Sequence, residues 1–342
     1  MQWTSIRHSL HFLSTLSIPK LLNAGKVLYS FYLSRILGRP IVKGLPFAIS
    51  VEPTTACNLG CPECISGLRA FTRQTGSIQT SFFKTFVDSV HETLIYLNFY
   101  FQGEPYLHKN LFEMIRYAAA KGIYTSTSTN AHFLDDERAR KTVESGLSRL
   151  IISIDGADQE TYSQYRVGGD LSKVTSGTAN LIRWKKVLRS HTPFVVFQFL
   201  VVRPNEHQVD KVRQIAASLG VDEVWVKTAQ VIDYANDPNR LIPLKQEYSR
   251  YKKDMREQVL PVNAMPNYCW KMWHSQVITW NGIVVPCCFD KDADHPMGNL
   301  NKQSLLEIWE SKNYNEFRQE LLISRKNIDI CSNCSEGIKV WQ

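Results

Sequence analysis

Apolar runs and amphipathic stretches alternate along the chain from about residue 46. Short runs rich in β-branched and aromatic residues, at Phe47–Val51, Leu94–Phe101, Tyr124–Thr129, Arg149–Ile154, Phe194–Val202 and Val221–Lys227, read as strands. Between them, Ser81–Thr93 and the stretches 110–121, 135–146, 172–189 and 206–219 read as helices, the last closed by Gly220 as a C-cap signal. Six strands alternating with helices predict an α/β fold with a parallel sheet, a partial (β/α)6 barrel. Sites in such folds gather at the C-terminal ends of the strands.

The two flanks behave differently. Residues 1–45 read as two short helices parted near Pro19, with Leu21, Ala24, Leu28, Phe31 and Tyr32 on one helical face. After residue 230 the alternation stops: 231–264 reads as a polar linker with a charged helix, and 265–342 as a small, loop-rich unit stapled by metal. The expected units are therefore 1–45, a barrel over 46–230, the linker, and the C-terminal unit.

Charge changes the picture at one place. The chain of 342 residues has a net charge of +8, and residues 1–51 contain no acid at all while carrying Arg7, Lys20, Lys26, Arg35, Arg39 and Lys43. The remainder is nearly balanced, 34 basic against 32 acidic residues, which excludes a general nucleic-acid surface. Three readings of 1–45 stay open: a helical cap on the barrel, an amphipathic segment on an anionic membrane, or an organelle transit peptide. A secretory signal fits less well, because His8 and His11 interrupt the apolar core. No apolar run reaches the ~20 residues of a spanning helix. A cytoplasmic protein is expected, with a peripheral membrane contact through 1–45 left open.

The eight cysteines fall into two distant groups, the arrangement of metal ligands rather than of a disulfide framework. The first is Cys57-Asn-Leu-Gly-Cys61-Pro-Glu-Cys64, on the loop after the first strand. Three thiolates on one loop suit either an iron–sulfur cluster with one iron left open or a zinc knuckle that borrows a distant ligand. Spacing alone does not separate the two; the position at the catalytic end of the barrel favours the cluster.

Cys-x3-Cys-x2-Cys after strand one resembles the signature of the radical S-adenosylmethionine (SAM) superfamily, and other positions agree. Gln102-Gly103-Glu104-Pro105 follows strand two, Ser128-Thr129-Asn130 ends strand three, and Ser153-Ile154-Asp155 ends strand four with Arg166 beyond. The resemblance implies that Cys57, Cys61 and Cys64 hold a 4Fe-4S cluster. It also implies that Gln102, Gly103, Glu104, Asn130, Ser153, Asp155 and Arg166 bind SAM. Glu104 would take the SAM ammonium group and Arg166 its carboxylate. For Asp155 and for Gln198 on strand five, a buried hydrogen-bonded role is the competing reading. Glu63 stands where the family often has an aromatic residue beside adenine.

Cys269, Cys287, Cys331 and Cys334 resemble the SPASM/twitch extension of the same family, with Cys288 as the spare thiol. The resemblance implies one auxiliary 4Fe-4S cluster held by those four cysteines. Trp270, Trp273 and Trp280 lie nearby in sequence, with core packing as their expected role. Family chemistry implies reductive cleavage of SAM to a 5′-deoxyadenosyl radical, hydrogen abstraction from substrate, and an electron donor such as flavodoxin or ferredoxin. A single auxiliary cluster points to oxidation of a small alcohol or sugar-like metabolite. A peptide-modifying enzyme is the second reading and a non-enzymatic zinc scaffold the third. Arg69 and Arg73, just after the cluster loop, could face an anionic substrate group.

Overall fold

The computed structural model describes residues 3–262 and 265–340. Helices α1 (Trp3–Ser14) and α2 (Ile18–Leu37) come first. The repeat then runs β1 (Ala48–Val51), α3 (Ile65–Leu68), α4 (Thr80–Val90), β2 (Tyr96–Asn98), α5 (Leu111–Ala120) and β3 (Tyr124–Thr129). It continues with α6 (Asp136–Glu144), β4 (Arg149–Ser153), α7 (Gln159–Tyr165), α8 (Leu171–Val187), β5 (Phe194–Val201), α9 (Val209–Leu219) and β6 (Glu223–Thr228). Strands β1 to β6 pair in sequence, all parallel.

Helical spacing explains the outer layer. On α4, Phe83, Phe86, Val87 and Val90 are buried, and on α5 Leu111, Met114, Ile115 and Ala118, each at i, i+3, i+4, i+7. Asp135 and Asp158 cap α6 and α7 by accepting from the amides of Arg138 and Thr161. Gly220 ends α9 at φ +80°, the left-handed geometry that glycine adopts without strain. Strand β2 is shorter than its apolar run: Phe99 still donates to the Ser126 carbonyl, and the chain then bends toward Gly103.

Two expectations for the C-terminal third need correction. No charged helix forms in 231–260. Instead β7 (Tyr251–Lys253) and β8 (Val259–Pro261) make an antiparallel hairpin. The Asp254 carboxylate accepts from the amides of Arg256 and Gln258, a local turn that competes with helix, and the buried Tyr251 hydroxyl is held by Val231 and Asn333. Nor does the C-terminal unit stand apart. After α10 (Lys271–His274), β9 (Ser275–Ile278) pairs parallel with β1, and β10 (Ile283–Val285) and β11 (Gly298–Asn299) extend the sheet antiparallel. The sheet has nine strands, in the order β11-β10-β9-β1-β2-β3-β4-β5-β6. This pairing covers the edge that β1 would otherwise expose. Helices α11 (Leu305–Trp309), α12 (Lys312–Ser324) and α13 (Asp329–Ser332) complete the chain.

The N-terminal helices pack on this body. On α1, His8 stacks on Phe194 at 4.2 Å and bonds the Tyr124 hydroxyl, and His11 bonds Ser148, so α1 covers the N-terminal ends of β3 to β5. On α2, Phe31 is fully buried edge-on to Trp270 and Trp273. The buried face of α2 runs through Asn23, Val27, Ser30, Phe31 and Ser34, whereas Leu21 and Tyr32, which the sequence pattern set on one face with Phe31, are exposed.

Acid should weaken this packing. Burial holds the His274 imidazole at about 4, and burial together with the Arg149 charge holds His8 at about 4. Both folded values lie below the unfolded value of about 6.5, so the unfolded chain binds more protons between those limits. Stability is then fully present above pH ~6.5 and declines as pH falls toward 4. For the deeply buried His274 the loss is on the order of 3 kcal/mol. Thermal melts across this range are expected to show the decline, with a shallower slope in His274→Gln; equal slopes would remove His274 as the cause.

Candidate active site

The cluster loop leaves β1 at Val51 and carries Cys57, Cys61 and Cys64, none in a disulfide. Cys61 is buried, the other two half-buried. Burial raises the thiols of Cys57 and Cys61 above their ordinary range, and the Arg166 guanidinium opposes the rise at Cys61 from 3.8 Å. A metal that binds here must therefore displace protons from sulfur.

The segment after β2 docks onto this loop through its backbone. Glu104 donates its amide to the Ala56 carbonyl at 2.7 Å, and Gly103 donates its amide to the Ser66 hydroxyl at 2.9 Å. Gly103 sits at φ +75°, and a Cβ there would lie 2.8 Å from the Ala56 carbonyl oxygen and closer still to that of Thr54. Only glycine fits. Gln102 is buried beside it.

Glu104 is the hub of the next shell. Its Oε1 accepts from the Tyr106 amide (3.1 Å) and the Thr129 hydroxyl (2.8 Å), and its Oε2 from the Asn130 amide (2.7 Å). Burial raises this carboxyl while those three donors pull it back. Asn130 in turn donates its side-chain amide to Asn58 at 2.7 Å, tying the end of β3 to the cluster loop. Arg166 ion-pairs with the wholly buried Asp155, whose other oxygen accepts from the Leu200 amide at 2.7 Å. Ser153, the last residue of β4, is the register partner of Gln198 within β5, so the two share one face of the sheet.

Thus the ends of β1, β2, β3 and β4 bring together Cys57, Cys61, Cys64, Gly103, Glu104, Asn130 and Arg166. Glu63, which stands where the family often has an aromatic residue, accepts from the Ile232 amide at 2.7 Å, bracing the segment after β6. The expectation for Arg69 and Arg73 changes. Arg73 is occupied by a bidentate ion pair with the fully buried Glu52 (2.6 and 2.9 Å). Arg69 is turned onto the carbonyls of Ser66 and Cys57. Neither arginine is free for a substrate anion. Asn58, Glu52 and the bracing role of Glu63 escaped the sequence reading, since their partners lie far along the chain.

The second cysteine group also converges. Cys269, Cys331 and Cys334 are buried and Cys287 is half-buried. Protein donors aim at the sulfurs: the Glu336 amide and Arg325 at Cys334 (both 3.3 Å), and the Phe289 amide at Cys287 (3.4 Å). Gly337, at φ +75°, approaches the Cys269 sulfur so closely that a Cβ would collide with it. Such a cradle of donors and bare backbone suits clustered thiolates. Asn333, between Cys331 and Cys334, donates to Val231, next to the Ile232 that Glu63 holds, so one short segment is tied to both cysteine loops. Trp270 and Trp273 are core residues, and Trp280 bonds the Gln74 carbonyl.

A cavity of about 640 Å³ opens along β1, β2 and β9. Its wall includes Ser50, Asn98, Tyr100, Lys271, Cys287 and Cys288. The side-chain amide oxygen of Asn98 is buried without a protein partner.

Comparison with known proteins identifies the family. The family model of the radical SAM superfamily matches residues 51–226, and that of an iron–sulfur cluster-binding domain, SPASM, matches 269–335. The chain is 24% identical over 311 residues to a tungsten-containing aldehyde ferredoxin oxidoreductase cofactor-modifying protein of Pyrococcus furiosus, covering 83% of this chain and 86% of that one. Its fold resembles BtrN in complex with AdoMet and 2-DOIA (TM-score 0.53, 20% identity, 86% of this chain and 95% of that one). It also resembles SuiB of Streptococcus suis bound to S-adenosylmethionine (TM-score 0.62, 12% identity, 81% of this chain and 68% of that one). With more than half of its length matched, the chain belongs to the radical SAM superfamily, an enzyme family that binds SAM and a 4Fe-4S cluster, and it carries a SPASM region for auxiliary iron–sulfur binding.

Proposed function

We propose that the chain is an oxidoreductase that removes two electrons from a small, polar metabolite, an alcohol or sugar-like molecule. One observation carries this reading: the cavity has the auxiliary ligand Cys287 and its neighbour Cys288 in its wall, so a molecule seated there abuts the second cysteine loop. Bound together, the groups this family uses supply reductive cleavage of SAM, hydrogen-atom abstraction by the resulting 5′-deoxyadenosyl radical, and an iron–sulfur acceptor for the electron left behind.

The protein's own part is to hold and to orient. Cys57, Cys61 and Cys64 hold the SAM-binding cluster, and Cys269, Cys287, Cys331 and Cys334 hold one auxiliary cluster. Gln102, Gly103, Glu104, Asn130, Ser153 and Arg166 bind SAM, with Arg166 presenting its guanidinium to the carboxylate. Asp155, both of whose oxygens have protein partners, positions Arg166 rather than touching SAM. Ser50 and Asn98 offer the substrate hydrogen bonds, and Tyr100 and Phe101 exclude water. Removing one hydrogen atom, one electron and one proton from an alcohol carbon and its hydroxyl gives a carbonyl, so atoms and electrons balance. The reductant is an external electron donor of the flavodoxin or ferredoxin type.

Anaerobic reactions of reconstituted protein with reductant, SAM and a panel of polyols and amino sugars test the reading. The expected result is substrate-stimulated 5′-deoxyadenosine, matched one for one by a product lighter by two hydrogens. A product of unchanged mass would overturn oxidation in favour of epimerisation. Stimulation by peptides alone would overturn the small-metabolite assignment.

A further inference from the structure

Helix α2 wears its amphipathicity inside out. Its packed face carries Lys20, Asn23, Ser30 and Ser34, each satisfied by backbone: Lys20 donates to the carbonyls of Thr15 and Gly122, Asn23 to that of Leu45, and Ser34 to that of Ile41. Its solvent face carries Ile18, Leu21, Leu22, Tyr29, Tyr32 and Ile36, with Ile18 74% and Ile36 79% exposed. At ~100° per residue these six positions fall within a stripe about 100° wide. Lys26 and Arg35 flank the stripe, one on each side. Helix α1 repeats the arrangement with Ile6, Leu10 and Leu13 exposed at i, i+4 and i+7. Ten of the 22 large apolar side chains exposed among the described residues lie on these two helices, far above their share of the chain. The face is a patch, not scattered surface residues.

We propose that this face docks onto an anionic lipid bilayer, lying in the interface with its apolar stripe among the acyl chains. Charge complementarity selects this occupant. Residues 1–51 hold no acid and, besides the inward-turned Lys20, five exposed basic residues. A second copy would bring like charges face to face with nothing to pair them, because a twofold interface uses the same patch twice. A bilayer supplies both requirements, an apolar boundary for the stripe and anionic headgroups for Lys26 and Arg35. No helix among the described residues is long and apolar enough to cross a membrane, so the contact is peripheral. The proposal stands independently of the substrate assigned above.

Sedimentation of the full, iron-loaded chain with vesicles tests it. Binding to phosphatidylcholine vesicles containing phosphatidylglycerol is expected to be about tenfold tighter than to phosphatidylcholine alone, and to weaken with salt. Leu21→Glu with Leu22→Glu touches only exposed positions, so melting and iron content should be unchanged while vesicle binding is lost. Lys26→Glu with Arg35→Glu should remove the preference for anionic lipid. Failure of the native chain to sediment overturns the proposal, as does native-like sedimentation of the leucine variant. So does a dimer seen by light scattering that the leucine variant splits, in the absence of vesicle binding; that result would give the face to a second copy.

Discussion

Cys61→Ala should lose about half of the bound iron and all reductive cleavage of SAM, whereas Cys331→Ala with Cys334→Ala should lose the other half and keep cleavage. The reasoning is geometric. Cys61 is buried between the Arg166 guanidinium and the backbone around Gly67, on the loop that Gly103 and Glu104 fix from below. Cys269, Cys287, Cys331 and Cys334 belong to a separate cradle and the spare Cys288 adjoins Cys287, so none of these sulfurs stands on the first loop to replace it. Cys331 and Cys334 sit in that second cradle, with Arg325 and the Glu336 amide on the Cys334 sulfur. Their removal leaves the loop of Cys57, Cys61 and Cys64 intact, because Glu63 and Asn58 brace that loop through Ile232 and Asn130. Iron and sulfide counts read the first half of the expectation, and 5′-deoxyadenosine formed with excess dithionite reads the second. Product formation should vanish in both variants, for different reasons. Cleavage surviving in Cys61→Ala would remove that residue as a cluster ligand. Cleavage abolished in the double variant would make the second cluster part of the cleavage machinery instead of an electron acceptor.

Much of this architecture was legible because it is local. Strands β3 to β6 and helices α4, α5, α6, α8 and α9 follow from period and caps, which need only neighbours within a turn or two, whereas the short α7 was not read. The cysteine loop was legible because three ligands stand within eight residues. What failed is non-local. A strand's own residues do not say which edge it joins, so β9 beside β1 was hidden inside an apparently loop-rich unit. Nothing in the local sequence around Glu52 and Glu63 marks the partners that bury them, each at least twenty residues away. Arg73 was misread for the same reason: its role depends on Glu52, which precedes the loop. On α2, period alone showed an amphipathic helix but not which side faces the protein, because side-chain-to-backbone bonds satisfy the polar face inside.

Glu104→Gln is expected to raise the SAM concentration needed for half-maximal cleavage by ten- to a hundredfold, with a smaller loss of folding stability. A carboxylate here accepts at every position: Oε1 takes two donors and Oε2 takes the Asn130 amide. A glutamine has one accepting oxygen. If that oxygen keeps the Tyr106 amide and the Thr129 hydroxyl, its NH2 group must face the Asn130 N–H, two donors in a buried site. The opposite flip sets the NH2 against the Tyr106 N–H. Either way one backbone donor is left unmade, at about 1–3 kcal/mol, and that range carries over to binding if Glu104 receives the SAM ammonium group as proposed. The negative charge that opposes that ammonium group is lost as well. Asn130 would shift, and with it Asn58 on the cluster loop. Glu104→Asp keeps the charge but retracts it by one carbon, so it should fall between the two. Titration of SAM by cleavage rate, beside thermal melts of each variant, separates binding from folding: a variant that melts lower yet needs no more SAM would confine Glu104 to structure.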